Sequence, residues 1–160
     1  MYHIRKTQEE DRVWIRDLLR KEWGSHLVVS KGVLHHADSL PGFLAEINGN
    51  RQGLLTYHII GNEYEIVTLN SHAERQGIGS ALIDAVKCEA STSGCNRLWL
   101  ITTNDNVDAI RFYQKRGFAL VAIHRNAVDQ SRRLKPEIPF TGIDGIPIMD
   151  EIEMELMLGK

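Results

Sequence analysis

The sequence predicts an α/β (α+β mixed) fold: a central mixed β-sheet carrying helices on both faces. Three observations point there. Asn-Gly at 48–49 and Gly-Asn at 61–62 each separate strand-like runs, which makes an antiparallel meander. "RLWLIT" at 97–102 is continuously apolar, as a central strand covered on both faces would be. Strand, helix, strand and helix then follow one another between residues 63 and 116, an order that requires a parallel crossover.

Taken in chain order, "MYHIRK" alternates as a strand, and Thr7 with Glu10 has the spacing of a capping box ahead of a helical stripe of Val13, Trp14, Leu18 and Leu19. Gly24 is placed to end that helix. "SLPGFLAEINGNRQGLLTYHII" reads as two strands joined at Asn48 to Gln52, and "EYEIVTL" as a third. Ile78, Leu82, Ala85 and Val86 recur on one helical face until "STSG" stops it. A second helix runs from about Asp105 to Arg116, and "FALVAIH" with "DEIEMELML" completes the sheet. Between these last two strands, about 125–149 forms a long inserted connection with three prolines. Ile138, Phe140, Ile143, Ile146 and Ile148 make it too apolar for a free loop. It covers an acceptor cleft or a partner subunit, or it packs on itself as an Ω-like loop.

Composition narrows the partners. With 160 residues, 42% hydrophobic and 25% charged, residues 1–160 read as one soluble domain. A net charge of −2 gives no basic field to gather nucleic acid or a membrane surface, so any anion must be held locally. No secretory leader or spanning run is read, which predicts a cytoplasmic protein. Cys88 and Cys95 lack a CxxC spacing and are expected to be buried small hydrophobes. The histidines, including adjacent His35 and His36, show no ligand spacing, so no metal is expected.

The stretch "ERQGIGSAL" places Gly77 and Gly79 at a strand-to-helix junction. Amides at a helix N-terminus are unpaired and partly positive, so a phosphate docks there without a lysine, provided that no side chain holds it off. A plain tight turn would look the same. GxxxxGK[ST] is absent and GxGxxG breaks at Leu82, which disfavours a nucleotide triphosphatase and a dinucleotide oxidoreductase.

Downstream, Asn106, Ala109, Tyr113, Gly117 and Phe118 stand in the pattern NxxAxxxYxxxGF. Together with "RQGIGSAL" and the "EIVTL" strand before it, this resembles the GNAT superfamily of acyl-CoA-dependent N-acetyltransferases, over roughly Met1 to His124 plus the terminal strand. The resemblance implies a splayed central sheet, acetyl-CoA as cosubstrate and an amine acceptor, either a small molecule or a protein amino group. It also implies that Arg75, Gln76, Gly77, Ile78, Gly79 and Ser80 hold the pyrophosphate. Glu74 stands where the family has Gln or Arg, which removes that side chain from the set. Val67 and Leu69 match the backbone positions that pair with the pantetheine arm, and Asn106 the asparagine that meets it, although Asn106 also suits a helix cap. Tyr113 matches the acid that protonates the departing thiolate, its phenol being protonated at neutral pH, or it packs between helix and sheet.

Glu63 and Glu65 share a strand face with Val67 and match positions where family members carry a base. Partial burial would raise either carboxylate toward the working range, whereas a solvated strand face would leave both idle, and the sequence does not rank them. Direct attack in a ternary complex is expected, since neither cysteine accompanies a base. The alternative is a non-catalytic acyl-CoA sensor or scaffold. A homodimer is left open.

Overall fold

The computed structural model describes residues 2–71 and 77–159. Its strands are β1 (Tyr2–Lys6), β2 (Leu27–Ser30), β3 (Val33–His36), β4 (Gly42–Ile47), β5 (Asn50–Ile60), β6 (Glu63–Ser71), β7 (Arg97–Thr103), β8 (Ala119–His124) and β9 (Glu151–Met157). Its α-helices are α1 (Arg12–Trp23), α2 (Ile78–Thr92), α3 (Val107–Lys115) and α4 (Ala127–Leu134). Seven strands form one mixed sheet in the order β1-β4-β5-β6-β7-β9-β8, and β2-β3 form a separate pair. The chain divides into two units, residues up to 28, 36–98 and from 157 in the first, and 29–35 with 99–156 in the second.

In the first unit, β1, β4, β5 and β6 are antiparallel neighbours, with registers that include Ile4↔Ala45, Leu44↔Leu54 and Leu55↔Leu69. Asn48 and Gly49 both have positive φ, 52° and 79°, as a two-residue hairpin turn requires. One face of these strands carries α1: Ile15, Leu18 and Leu19 pack with Leu44, Leu54 and Val67. The other carries α2, against which a Cβ on Gly53 would meet Ile78 Cγ2 at 2.8 Å, so close packing there demands glycine. Gly24 ends α1 in the left-handed region at φ 78°.

At the start of α1 the expected Thr7–Glu10 box is displaced by one residue. The Gln8 N–H donates to Asp11 Oδ2 at 2.8 Å, around a 3₁₀ turn at Glu9–Asp11. Asp11 is fully buried, and it is paid for by Arg5, at 2.7 and 2.8 Å, and by Arg51 at 3.0 Å. The Arg5 hydrogen bonds hold its carboxyl well below the ordinary carboxylate range. Cys95 is buried as expected, but Cys88 is exposed, because it falls on the outer side of α2 away from Leu82 and Val86.

The second unit contains β8 and β9, antiparallel with Ile123↔Ile152, most of β7, and α3 with α4. Here the expected irregular connection begins instead with a helix. α4 buries Val128 and Ser131, and Arg132 near its end fastens the segment that follows: its guanidinium donates to the carbonyls of Ile138, Pro139 and Ile148 at 3.3, 2.8 and 2.8 Å. Among the described residues no helix is long and apolar enough to cross a membrane.

Candidate active site

The first unit supplies the glycine junction. Gly77 is the N-cap of α2, in the left-handed conformation at φ 74°, ψ 15°. A side chain there would be strained even though nothing lies within 4 Å of its would-be Cβ. The helix hydrogen bonds begin with Ala81 N–H to Gly77 O at 3.0 Å, so the amides of Ile78, Gly79 and Ser80 belong to the first turn, which has no intrahelical acceptor. No acidic side chain occupies that turn, which leaves its positive end uncompensated by the helix itself. These amides fit a diphosphate. Arg75 and Gln76 lie outside the described residues.

Strand β6 carries Glu63, Glu65, Val67 and Leu69. Its ladder to β5 slips between Thr56 and Tyr57: Thr56 faces Thr68, then Tyr57 faces Ile66, and Val67 is the extra residue of a β-bulge. Sequence periodicity gave no sign of this bulge. It lets Val67 and Thr68 both turn toward the α1 face, Val67 into the α1 cluster and Thr68 into a buried hydroxyl pair with Thr56 at 2.6 Å.

The two glutamates are separated by their partners. Glu63 is opposite Ile60, its side chain is 42% exposed, and it forms an ion pair with Arg97 at 3.1 Å. Glu65 is opposite His58 and only 3% exposed.

The second unit supplies α3. Asn106 is its N-cap, with Oδ1 accepting from Ala109 N–H at 3.2 Å, so this side chain fills the cap role weighed for it. Tyr113 lies on the buried side of the helix, with Phe112 and Phe118 edge-on at 5.2 and 5.4 Å. Burial pushes its hydroxyl well above the ordinary phenol value, against the lowering effect of Arg116.

Immediately before α3, Asn104 and Asp105 hold the long connection in place, a role that their letters alone did not suggest. The Asn104 amide donates to Pro147 O at 2.9 Å, and its oxygen accepts from the N–H groups of Met149 and Asp150, both at 3.0 Å. Asp105, 5% exposed, accepts from Thr103 Oγ1 at 2.5 Å and from Ile143 N–H at 3.1 Å. A Cβ on Gly142 would fall 2.1 Å from Asp105 Oδ2, so only glycine lets the loop approach. The segment is therefore fastened at both ends, yet Phe140 remains 75% and Ile143 48% exposed.

Comparison with known proteins identifies the family and the fold. A model of the Acetyltransferase (GNAT) family matches residues 3–118, and the chain belongs to that family. It is 46% identical over 140 residues to the uncharacterized protein YdhI of Bacillus subtilis, covering 86% of this chain and 87% of that one. Its fold matches the ribosomal-protein-S18-alanine N-acetyltransferase of Escherichia coli, with a TM-score of 0.68 at 20% identity over 100% and 96% of the two chains. It also matches a Bacillus subtilis acetyltransferase solved in complex with CoA, with a TM-score of 0.70 at 16% identity over 99% and 100%. At these identities the structural matches speak for the fold, and family membership supports acetyl transfer in general.

Proposed function

We propose that the protein transfers an acetyl group from acetyl-CoA to an amine, by direct attack in a ternary complex. The observation that carries the reading is the start of α2, where Gly77 in the left-handed region leads into a first helical turn that holds no acidic side chain. That is a receptor for a diphosphate, and CoA carries one. CoA bound to a fold neighbour supports the same choice.

Ile78, Gly79 and Ser80 then hold the diphosphate through their N–H groups, with Arg75 and Gln76 completing the loop. Val67, Leu69 and Asn106 position the pantetheine arm, the first two through the backbone at and beyond the bulge. When bound, acetyl-CoA supplies a thioester carbonyl that an uncharged amine can attack. Glu65 serves as the base, taking one proton from the acceptor ammonium and freeing its lone pair. Glu63 is less suited, because Arg97 already neutralises it. Tyr113 gives its proton to the sulfur as the carbon–sulfur bond breaks. A buried phenol with a raised pKa keeps that proton until negative charge forms against it.

The test is free-thiol release from acetyl-CoA across a panel of small amines, aminated antibiotics and peptides with free N-termini, beside calorimetry of CoA binding. Amine-dependent thiol release supports the transferase. Tight CoA binding with no thiol release from any amine supports the sensor or scaffold alternative.

A further inference from the structure

A carboxylate as deeply buried as Glu65 must be satisfied by neighbours, because water does not reach it freely. The β5–β6 register puts His58 directly across the ladder from it. Directly paired residues project from the same face, and the ligand-capable atoms of the two side chains lie within 4.8 Å of one another. A direct hydrogen bond or a single bridging water spans that separation. The pattern extends along this face. One rung away is the Thr56–Thr68 hydroxyl pair, and one rung in the other direction Glu63 faces Ile60 and turns to Arg97. Two chemically identical carboxylates, two residues apart, thus receive different company: a guanidinium that is always charged for Glu63, and for Glu65 an imidazole that both donates and accepts.

We propose that His58 is a positioning residue for Glu65: its ring holds the carboxylate in the orientation in which it takes the proton of the acceptor ammonium. The proposal rests on the reading of Glu65 as the base. A glutamate side chain has several rotatable bonds, and a reacting group displaced by about 1 Å loses on the order of 10²-fold in rate. A ring fixed on the neighbouring strand removes that freedom without itself touching the amine.

The test compares the parent, His58→Ala, Glu65→Gln and the double variant, with acetyl-CoA and spermidine, tyramine or an alanine-terminated tripeptide as acceptor. His58→Ala is expected to lower kcat on the fastest of these at least about tenfold while leaving the KM for acetyl-CoA unchanged, and His58→Gln, which keeps a hydrogen-bond donor, is expected to recover most of the loss. In the Glu65→Gln background, His58→Ala is expected to cost no more than about twofold, because residues acting through one another do not add. A fully additive loss overturns the proposal. Parent-like activity in Glu65→Gln overturns the assignment of the base instead. A readout without any acceptor comes from nitrogen-15 NMR of the histidine rings: the His58 ring signals are expected to shift in Glu65→Gln and to stay in place in Glu63→Gln. Unmoved His58 signals in Glu65→Gln overturn the proposal even where no panel amine turns over.

Discussion

Burial raises the pKa of the Tyr113 hydroxyl, and the ring meets Phe112 and Phe118 edge-on, so the acid role proposed for the hydroxyl is separable from the packing of the ring. Tyr113→Phe retains the ring. Turnover is expected to fall by roughly 10² to 10⁴ with the melting temperature little changed, which single-turnover kinetics beside thermal denaturation will measure. The glutamates give a second contrast at this scale. Glu65→Gln should lower turnover by roughly 10² or more, whereas Glu63→Gln should lose much less, its cost being the Arg97 ion pair. Equal losses in steady-state assays would contradict the assignment. Tyr113, Asn106 and both glutamates entered as candidates through the resemblance to the family, and only the Asn106 cap followed from local spacing alone. Arg97, His58 and Arg132 were not. His58 faces Glu65 through a strand register, Arg97 pairs with Glu63 and Arg132 closes a loop, and such long-range pairings leave no trace in neighbouring letters.

The element that the sequence identified most directly is the start of α2, since glycine is the residue that adopts a left-handed N-cap at least cost. Gly77→Val or Gly79→Val should weaken acetyl-CoA binding in calorimetry far more than it lowers the melting temperature. At Gly77 the strain of positive φ contributes only about 1–2 kcal/mol of destabilisation. Strand β1 and the turn into α1 allow a pH prediction. Asp11 titrates below its unfolded value, chiefly through its hydrogen bonds with Arg5, so the stability it contributes is present above the unfolded carboxylate pKa of about 4 and is lost as pH falls from there toward the depressed folded value. Asp11→Asn should flatten the acid limb of the stability curve followed by chemical denaturation, and should cost roughly 1.5–3 kcal/mol at neutral pH by removing the charged hydrogen bonds to the partly exposed Arg5 and Arg51. A parent-like acid limb would contradict this. Most strands and three of the helices followed from turn residues and apolar periods. The β6 bulge did not, because one inserted residue shifts the phase of a ladder without changing its composition. The β2–β3 hairpin and α4 also went unread: the hairpin strands have four residues each, and α4 is short and rich in charge.

For the whole molecule, the family and the fold support acetyl transfer in general, and the long connection after β8 is the segment proposed to meet the acceptor. Asn104, Asp105 and Arg132 fasten that segment and leave Phe140 and Ile143 facing outward. We therefore expect it to shape amine recognition. Replacing Lys135 to Ile146 by a short polar linker should raise the acceptor KM while CoA affinity stays within about a few-fold of the parent. A fall from dimer to monomer with acceptor kinetics intact would assign the segment to an oligomer interface instead.

The account stands most directly on whether an amine draws the acetyl group from acetyl-CoA. Mass spectrometry of the amine panel after incubation with acetyl-CoA and the full chain measures this, with free thiol counted in parallel. The prediction is one class of acetylated amine formed in step with thiol and lost in Tyr113→Phe. Thiol release that is unaffected by any amine, or acetyl-CoA bound and recovered intact throughout, would contradict it.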